Sequence, residues 1–390
     1  MSCVKRIPSL DGLRGIAAIA VVLFHFNIFF LPQARLSGIV PFLGLAYLAV
    51  DFFFLLSGFV MAHVYGRGLA SNWRANWLRF GIARFARIYP LCALTTLAMI
   101  IVVALSGTQL TNVSFSGPSL VLQPFLLQQW ASGLSWNYPS WSISTEAEAY
   151  VMFVFLAGAL VTGKYPRLMA ACCVAIVAGL SITRGGSLNL YTGFPALLRT
   201  LAEFSLGVLL YRAHSGAGSF PKKLAPILAI VFLGLARLTH LDFFIIGAFA
   251  CLITYGVDST NSLGRLLNSR PSVALGNWSY SIYLLHAPTH YTVMAILAAS
   301  GHPVSNLGLS RARLLSLATT VAVLGLSAVT YRYFETPVRR LIIRATAGWA
   351  SSHEVPRSFP LQSTSEWSAM TEASEASDVG SIPIARSSNL

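Results

Sequence analysis

Residues 9–26, SLDGLRGIAAIAVVLFHF, form an apolar stretch typical of a membrane-crossing helix, yet this stretch carries three ionisable side chains. A charge in the hydrocarbon core of a bilayer costs roughly 2.5–3.5 kcal/mol, so Asp11, Arg14 and His25 are candidates for function. Arg14 and His25 are eleven residues apart, which places them on one face of a helix, about 16 Å apart along its axis. Asp11 precedes Arg14 by three residues, so its carboxylate can partly neutralise the guanidinium.

The composition indicates a membrane protein. Of the 390 residues, 55% are hydrophobic and 10% are charged, whereas a soluble domain usually has about 25% charged residues. We therefore predict an all-α polytopic transmembrane helix bundle with about ten spans. The net charge of +14 is explained by basic residues in alternate loops, as the positive-inside rule describes, and not by a nucleic-acid partner. The five cysteines lack metal-ligand spacing, so no metal is predicted.

The apolar runs give ten predicted spans. The first run is not followed by a small-residue cleavage site, so we interpret it as a retained helix rather than a signal peptide. Several spans are shorter than the roughly 20 residues that a bilayer requires, so their ends are approximate. The predicted spans are residues 10–31, 41–64, 88–106, 141–162, 167–184, 194–212, 224–239, 241–257, 275–299 and 314–336.

The distribution of lysine and arginine gives the orientation. With the N-terminus in the cytoplasm, the basic residues concentrate in the inside loops, and the outside loops hold Arg35, Arg184, Arg311 and Arg313. This asymmetry predicts a protein of the inner (plasma) membrane with both termini in the cytoplasm. Residues 107–140 contain no Lys or Arg and only a short apolar piece, so we predict a re-entrant or interfacial segment on the outer side.

The composition changes at about residue 345. The remaining chain is rich in Ser, Thr, Ala and Glu, has scattered Pro, and shows no periodic apolar pattern. These features are typical of disordered segments, which bury too little apolar surface to fold. We therefore predict a membrane-embedded domain at residues 1–344 and a disordered cytoplasmic tail at residues 345–390.

His25 is the strongest candidate for a reactive group, because a neutral imidazole accepts a proton near neutral pH. Glu146 lies in the sequence YPSWSISTEAEAYVMF at residues 138–153 and enters the fourth predicted span from the outer side. We expect it to approach the depth of His25, where the two side chains would form an acid–base or orienting pair. The alternative for His25 is a structural histidine that is hydrogen-bonded between helices.

The second predicted span contains Asp51 and, shortly after it, the S-G-F sequence of Ser57, Gly58 and Phe59. An aspartate within a span must be paired or must face a cavity. The small residues permit close approach of either a ligand or another helix, so ligand binding and plain helix packing both remain open.

Arg84 and Arg87 precede the third predicted span in the sequence RFARIYP. They are three residues apart and therefore project together from a helix. Guanidinium groups suit phosphates, so the pair is a candidate for binding a phosphorylated donor. Anchoring to lipid headgroups, or a charge that only sets the topology, is the alternative.

Together these motifs resemble the acyltransferase type 3 family of integral membrane O-acyltransferases. The matching elements follow the family's order across residues 5–340, and each of them alone would be a weak signal. They are LDGLRGIAAIAVVLFHF with its R-x10-H spacing, VDFFFLLSGF, RFARIYP with its R-x-x-R spacing, WSISTEAEAY, YSIYLLH and YRYFETPVRR.

The resemblance implies an enzyme that transfers acyl groups other than aminoacyl groups. Its donor would be a cytoplasmic acyl-coenzyme A, most often acetyl-coenzyme A. Its acceptor would be a hydroxyl of a lipid-linked or membrane-proximal carbohydrate or glycolipid, such as exopolysaccharide, O-antigen or lipo-oligosaccharide.

The resemblance also implies roles for individual residues. His25 matches the family's catalytic histidine, and Arg14 matches the essential arginine of the same motif. Arg84 and Arg87 match the arginine pair implicated in coenzyme A binding. The S-G-F element is matched by Ser57, Gly58 and Phe59, and the glutamate of W-S-x-S-x-E is matched by Glu146. We therefore predict His25 and Glu146 as catalytic residues, with Glu146 orienting His25 or helping to bind the acceptor. We predict donor binding by Arg14, Arg84, Arg87, Ser57, Gly58 and Phe59.

One segment departs from the family. The W-S-x-S-x motif of the family usually continues with E-E-Q-F-Y or a similar sequence, whereas here Glu146 is followed by Ala147, Glu148 and Ala149 before Tyr150.

Direct transfer to the acceptor and transfer through an acylated His25 both agree with the sequence. Two other classes of protein remain. A proton-coupled transporter would also use buried His, Asp and Glu, but it predicts proton-dependent flux without coenzyme A binding. A non-catalytic scaffold for polysaccharide assembly would keep its function when His25 is replaced by alanine.

Overall fold

The computed structural model describes residues 6–40, 42–106, 117–131, 135–216, 224–258 and 260–352. Within these ranges every regular element is helical, which confirms the predicted all-α polytopic bundle. The α-helices are α1 Pro8–His25, α2 Ala49–Met61, α3 Arg67–Ser106, α4 Gly117–Leu122, α5 Trp141–Ala157, α6 Pro166–Thr183, α7 Gly193–Ser215, α8 Ala225–Thr239, α9 Phe243–Gly256, α10 Ser262–Leu267, α11 Arg270–Ala299, α12 Leu309–Thr330 and α13 Thr336–Ser352.

Seven helical stretches of the described chain are long and apolar enough to cross a membrane. One of them, Leu43–Ser106, holds the second and third predicted spans, which are separated by the non-helical residue Asn72 (φ −157°, ψ 86°). The shorter apolar helices α8 and α9 correspond to the seventh and eighth predicted spans. The described helices thus account for all ten predicted spans, and the chain is a multi-pass membrane protein.

Helix α1 packs most extensively against α11, and small residues allow this contact. A Cβ atom added at Gly276 would lie 2.2 Å from the carbonyl oxygen of Asp11. A Cβ atom added at Gly15 would lie 2.7 Å from Cβ of Leu275. Glycine at these two positions lets the helix backbones approach closely, as small residues do in membrane bundles.

The two helices run in the same direction, because Asp11 lies beside Gly276 and, further along, His25 lies beside His286. Parallel helices in a membrane bundle are separated by an odd number of crossings. The second to eighth predicted spans lie between them and are odd in number. The direction of α1 and α11 therefore agrees with the predicted span count.

Residues 107–116 and 132–134 of the predicted re-entrant or interfacial segment lie outside the described residues. The described part, residues 117–131, consists of α4 and short 3₁₀ turns. It packs against the start of α5, where Oγ of Ser144 donates to the carbonyl oxygen of Leu126 at 2.6 Å. These short elements agree with the prediction that the segment does not cross the membrane.

Two helices extend past the limits of the predicted spans. The helix of the third span begins after the break at Asn72, well before residue 88, and Phe80 is buried in its arginine-rich first part. Helix α13 continues to Ser352, and the domain limit at residue 344 stays a prediction. Residues 353–390, the rest of the predicted tail, lie outside the described residues.

Candidate active site

His25 and His286 face each other across the α1–α11 contact. Nδ1 of His25 lies 3.0 Å from Nε2 of His286, and the ring planes differ by 6° with ring centres 4.9 Å apart. The separation of the two nitrogens is that of an N–H···N hydrogen bond. His286 is fully buried, whereas His25 is half-buried.

The second ring nitrogen of His286 is held by its own helix. Nδ1 of His286 lies 2.7 Å from the carbonyl oxygen of Tyr283. The hydroxyl of Tyr138 lies 3.2 Å from Nε2 of His286, and its ring packs edge-on against His25 with centres 4.8 Å apart. A hydrogen-bonded chain therefore runs from the Tyr283 carbonyl through His286 to His25.

Pro288 explains how Tyr138 reaches the histidine pair. Proline has no N–H, so the carbonyl of Leu284, four residues earlier, loses its helical donor. Nδ2 of Asn137 donates to this carbonyl at 3.0 Å and to Oγ1 of Thr95 at 2.9 Å. These two bonds fix Asn137 and place the next residue, Tyr138, beside His286.

Five of the predicted site residues line one cavity among α1, α2, α3, α5 and α11. We call it the arginine cavity, and its polar lining includes Arg14, Ser57, Arg84, Arg87, Glu146 and Tyr283. Tyr283 belongs to both parts of the site, since its side chain lines the cavity and its carbonyl binds His286. His25 is not among the described residues that line the cavity.

Arg14 and Arg84 both line the arginine cavity. Nη1 of Arg14 lies 3.8 Å from Oδ1 of Asp11, as the spacing predicts, but Asp11 is closer to Arg6, with 2.8 Å between Oδ2 and Nε. Nη2 of Arg84 lies 3.1 Å from the hydroxyl of Tyr65, and the guanidinium lies 5.2 Å from that ring's centre.

Arg87 lies in a different environment, because it forms a buried ion pair. Its guanidinium contacts the carboxylate of Glu335, in the turn before α13, and lies over the ring of Tyr280. Glu335 also accepts a hydrogen bond from Oγ of Ser281 at 2.7 Å. The fold itself therefore compensates the charge of Arg87, whereas the sequence gives no reason to separate it from Arg84.

Glu146 contacts Ser57 rather than His25. Oε1 of Glu146 accepts hydrogen bonds from Oγ of Ser57 at 2.7 Å and from the hydroxyl of Tyr150 at 2.6 Å. Sequence reasoning pairs Glu146 with His25, but His286 occupies the place beside His25. The structure thus brings Glu146 to the cavity with the arginines, and its catalytic role stays a prediction.

The other two residues of the S-G-F sequence face α7. A Cβ atom added at Gly58 would lie 1.9 Å from the carbonyl oxygen of Phe204. Phe59 is fully buried and packs edge-on against Tyr211, with ring centres 5.4 Å apart. Both residues serve the packing of α2 on α7, and their role in donor binding stays a prediction.

Asp51 belongs to a separate buried ion cluster that joins α2 to α7. Nε of Arg199 lies 2.8 Å from Oδ1 of Asp51, and Nη2 donates to Oδ2 at 3.1 Å. Nε also lies 3.8 Å from Oε1 of Glu203. All three side chains are almost completely buried. The packing of Trp141 against the Arg199 guanidinium, 5.5 Å from the ring centre, completes the cluster.

Sequence reasoning left His286 without a role. The residue ends the motif YSIYLLH, but its partner His25 lies 261 positions away. A sequence does not state which helices touch. The available signal was the presence of glycines at 12, 15 and 276 upstream of both histidines, which favours a close contact between these two helices.

The site is suited to anions and to proton transfer. The arginine cavity presents guanidinium groups, which bind phosphates through paired N–H donors. The histidine pair presents ring nitrogens that can donate or accept protons. Among the residues that the structure describes, no group of three or more His, Cys, Asp and Glu side chains is arranged to hold a metal ion.

Comparison with known proteins gives the family. The chain matches the acyltransferase domain of the Acyl_transf_3 family over residues 7–332. It is 29% identical to acyltransferase MdmB of Streptomyces mycarofaciens, over 91% of this chain and 98% of MdmB. It is 23% identical to O-acetyltransferase OatA of Staphylococcus aureus (strain NCTC 8325 / PS 47), over 88% of this chain but only 59% of OatA. No solved structure shows a significant match.

The match covers α1, both histidines, the arginine cavity and nearly all of the described helices. Its span agrees with the resemblance carried by the R-x10-H, R-x-x-R and W-S-x-S-x-E motifs. The chain therefore belongs to the acyltransferase type 3 family of integral membrane O-acyltransferases, and it is an acyltransferase.

Proposed function

We propose that this enzyme moves an acyl group, most simply acetyl, from acyl-coenzyme A to a hydroxyl of a carbohydrate or glycolipid. The observation that carries the proposal is the connection of the arginine cavity to the histidine pair through Tyr283. The name of the relative OatA, an O-acetyltransferase, supports an acetyl group and a hydroxyl acceptor.

The arrangement suits a long donor with phosphates at one end and a thioester at the other. Arg14 and His25 lie on one helix, about 16 Å apart along its axis. Arg14 and Arg84 would hold the phosphates, and the arm would extend past Tyr283 towards His25. Ser57 donates its hydroxyl hydrogen to Glu146, so its oxygen lone pairs are available to accept from an amide N–H of the arm.

In the reaction, His25 removes the proton from the acceptor hydroxyl as its oxygen attacks the thioester carbonyl carbon. The C–S bond of the tetrahedral intermediate then breaks, and the oxygen–acyl bond remains. The protonated His25 returns its proton to the coenzyme A sulfur. The step releases one acyl ester and one free thiol, and no proton is gained or lost overall.

The acceptor is proposed to reach His25 from the end of the bundle opposite the arginine cavity. Phe29, in the π-helical turn that follows α1, is 61% exposed, and its ring centre lies 5.9 Å from that of His25. Tyr138 lies on the same side of His25 as part of the same aromatic group. An exposed aromatic ring beside a reactive histidine offers an apolar face for a sugar.

The proposal extends to location and domain limits. The distribution of basic residues supports an inner (plasma) membrane location with both termini in the cytoplasm, so that the arginine cavity opens to the cytoplasm. Residues 1–344 would form the membrane-embedded acyltransferase domain, and a lipid-linked or membrane-proximal carbohydrate would be the acceptor.

The test is acyl transfer by the purified full chain in detergent, with radiolabelled acetyl-coenzyme A and membrane glycolipid. Wild type should label the glycolipid, and His25→Ala should lower kcat by about 10²–10⁴-fold. Arg84→Ala should raise the donor KM about tenfold, since a charge-assisted hydrogen bond contributes about 1.5–3 kcal/mol. The matched controls His302→Ala and Arg237→Ala replace exposed residues and should behave as wild type.

Two results would overturn the proposal. The donor assignment fails if wild type binds no coenzyme A and transfers none of several acyl groups. The assignment of His25 fails if His25→Ala retains wild-type kcat. Proton-dependent flux without coenzyme A binding would favour the proton-coupled transporter instead.

A further inference from the structure

We propose that His286 is a positioning residue that fixes the tautomer of His25 and directs Nε2 of His25 at the acceptor hydroxyl. This inference rests on the proposed function, in which His25 is the base. It adds a second histidine, on another helix, as the group that orients the base.

The tautomer follows from the direction of each hydrogen bond. The carbonyl of Tyr283 can only accept, so Nδ1 of His286, at 2.7 Å, carries a hydrogen. A neutral imidazole has one ring hydrogen, so Nε2 of His286 is an acceptor. Nδ1 of His25, at 3.0 Å, must then carry the hydrogen of the N–H···N bond. Neutral His25 is left with a lone pair on Nε2, which is the nitrogen that can act as a base.

A second donor also approaches Nε2 of His286. The hydroxyl of Tyr138 lies 3.2 Å away, compared with 3.0 Å for Nδ1 of His25. Nδ1 of His25 is the closer of the two donors, and the planes of the two histidine rings are parallel to within 6°. His25 is therefore the principal donor, and the Tyr138 contact is secondary.

The orientation is rigid because His286 cannot turn without breaking two bonds. His286 is fully buried, and each of its ring nitrogens has a hydrogen-bond partner. When His25 takes the acceptor proton on Nε2, it becomes a cation that still donates through Nδ1. The bond to His286 then becomes charge-assisted and stronger, which stabilises the protonated base during transfer. This is the same logic by which a third group orients the histidine of a hydrolytic triad.

His290 is a matched control on the same helix. It lies one turn after His286, is 1% exposed, and packs against the rings of Phe26 and Phe30. Neither of its ring nitrogens has a hydrogen-bond partner in the described chain. His290→Leu therefore removes a buried imidazole from the same region without removing a hydrogen bond to His25.

The decisive measurement is nitrogen NMR of the full chain with ¹⁵N-labelled histidine in lipid nanodiscs, without substrate. We expect His25 to be protonated at Nδ1 and unprotonated at Nε2, with a nitrogen–nitrogen coupling across the bond to His286. The His286→Ala variant should lose the coupling and show both tautomers of His25. The His290→Leu variant should keep the coupling and the single tautomer.

Kinetics provide the second readout. His286→Ala should lower kcat by about 10²-fold while the donor KM changes less than twofold, because the base is misdirected and the arginine cavity is intact. His286→Gln, whose carbonyl oxygen can accept from Nδ1 of His25, should recover part of kcat. The double variant His25→Ala/His286→Ala should be no slower than His25→Ala, since the two residues act as one unit.

The inference is overturned if wild type shows no coupling, if His25 keeps one tautomer in His286→Ala, or if His290→Leu lowers kcat as much as His286→Ala does. Failure of the proposed function gives a different result, namely no transfer by wild type from any acyl-coenzyme A. The NMR measurement needs no substrate and decides the positioning of His25 in either case.

Discussion

Arg87 and Glu335 form a buried ion pair that joins α3 to the turn before α13, across 248 positions of the chain. Ser281 on α11 donates to the same carboxylate at 2.7 Å. One glutamate therefore connects three elements at the edge of the arginine cavity. The pair therefore holds a cavity-lining arginine in place through the fold.

Glu335→Gln should destabilise the protein by about 3–5 kcal/mol, because it removes the negative charge that Glu335 places against the buried Arg87 guanidinium. Thermal unfolding in detergent should show a clear fall in Tm. The control Glu148→Gln removes the charge of a half-buried carboxylate that is bound by Trp130, and it should change Tm little. Equal Tm values for Glu335→Gln and wild type would show that the pair does not hold α3 to the α13 turn.

Glu146→Gln should preserve the contacts of Ser57 and Tyr150, since an amide oxygen still accepts hydrogen bonds. We expect kcat and the donor KM to change less than about threefold. Ser57→Ala should instead raise the donor KM several-fold, because an ordinary hydrogen bond contributes roughly 0.5–1.5 kcal/mol. A loss of kcat above about 10²-fold in Glu146→Gln would instead support the sequence-based prediction of Glu146 as an acid–base residue.

Asn137→Leu should destabilise the protein by about 1–3 kcal/mol, because the carbonyl of Leu284 would be buried without a donor. It should also lower kcat, since Tyr138 loses its support beside the histidine pair. Adding Pro288→Ala provides the control, because an alanine N–H can satisfy the same carbonyl. Recovery of Tm in the double variant is expected, and no recovery would contradict the link between Pro288 and Asn137.

Arg199→Met should lower Tm more than Asp51→Asn does. The first change leaves two buried acids, Asp51 and Glu203, without a cation, whereas the second leaves Arg199 with Glu203 at 3.8 Å. Paired thermal unfolding curves give the comparison. The reverse order would show that Glu203 carries no charge next to Arg199.

Gly276→Ala should reduce both Tm and kcat, because the added methyl group would lie 2.2 Å from the carbonyl oxygen of Asp11 and must push α1 from α11. Gly81→Ala is the matched control, since its Cβ would meet no atom within 4 Å and alanine favours a helix. We expect Gly81→Ala to leave kcat unchanged. Wild-type kcat in Gly276→Ala would mean that the helix contact does not set the histidine geometry.

The membrane spans and the gathering of the arginines could be predicted because they depend on local pattern. Apolar runs give the helices, and the spacing of Asp11 and Arg14 gives a pair that the structure contains. The motifs also placed Arg84, Arg87 and Ser57 in one donor-binding group, and all three line the arginine cavity.

The partners of these residues could not be predicted, because they depend on which helices touch. Glu146 meets Ser57 of α2, Arg87 meets Glu335 near α13, and His25 meets His286 of α11. Each partner lies far away in the chain, and several chemically suitable alternatives exist for each. The helical structure before residue 88 has a related cause, since Phe80 packs against α5 residues such as Phe153.

The parallel course of α1 and α11 determines on which side of the membrane the two ends of the described chain lie. Helix α12 returns from the histidine end, where Arg313 donates to the Ala34 carbonyl, to the arginine end, where Glu335 binds Arg87. The described chain thus enters and leaves the bundle on one side, which is also the side of the arginine cavity. A topology reporter fused ahead of Pro8 and another fused after Ser352 should therefore both be located in the same compartment. Because the arginine cavity lies on that side, the compartment is also the proposed source of the acyl donor.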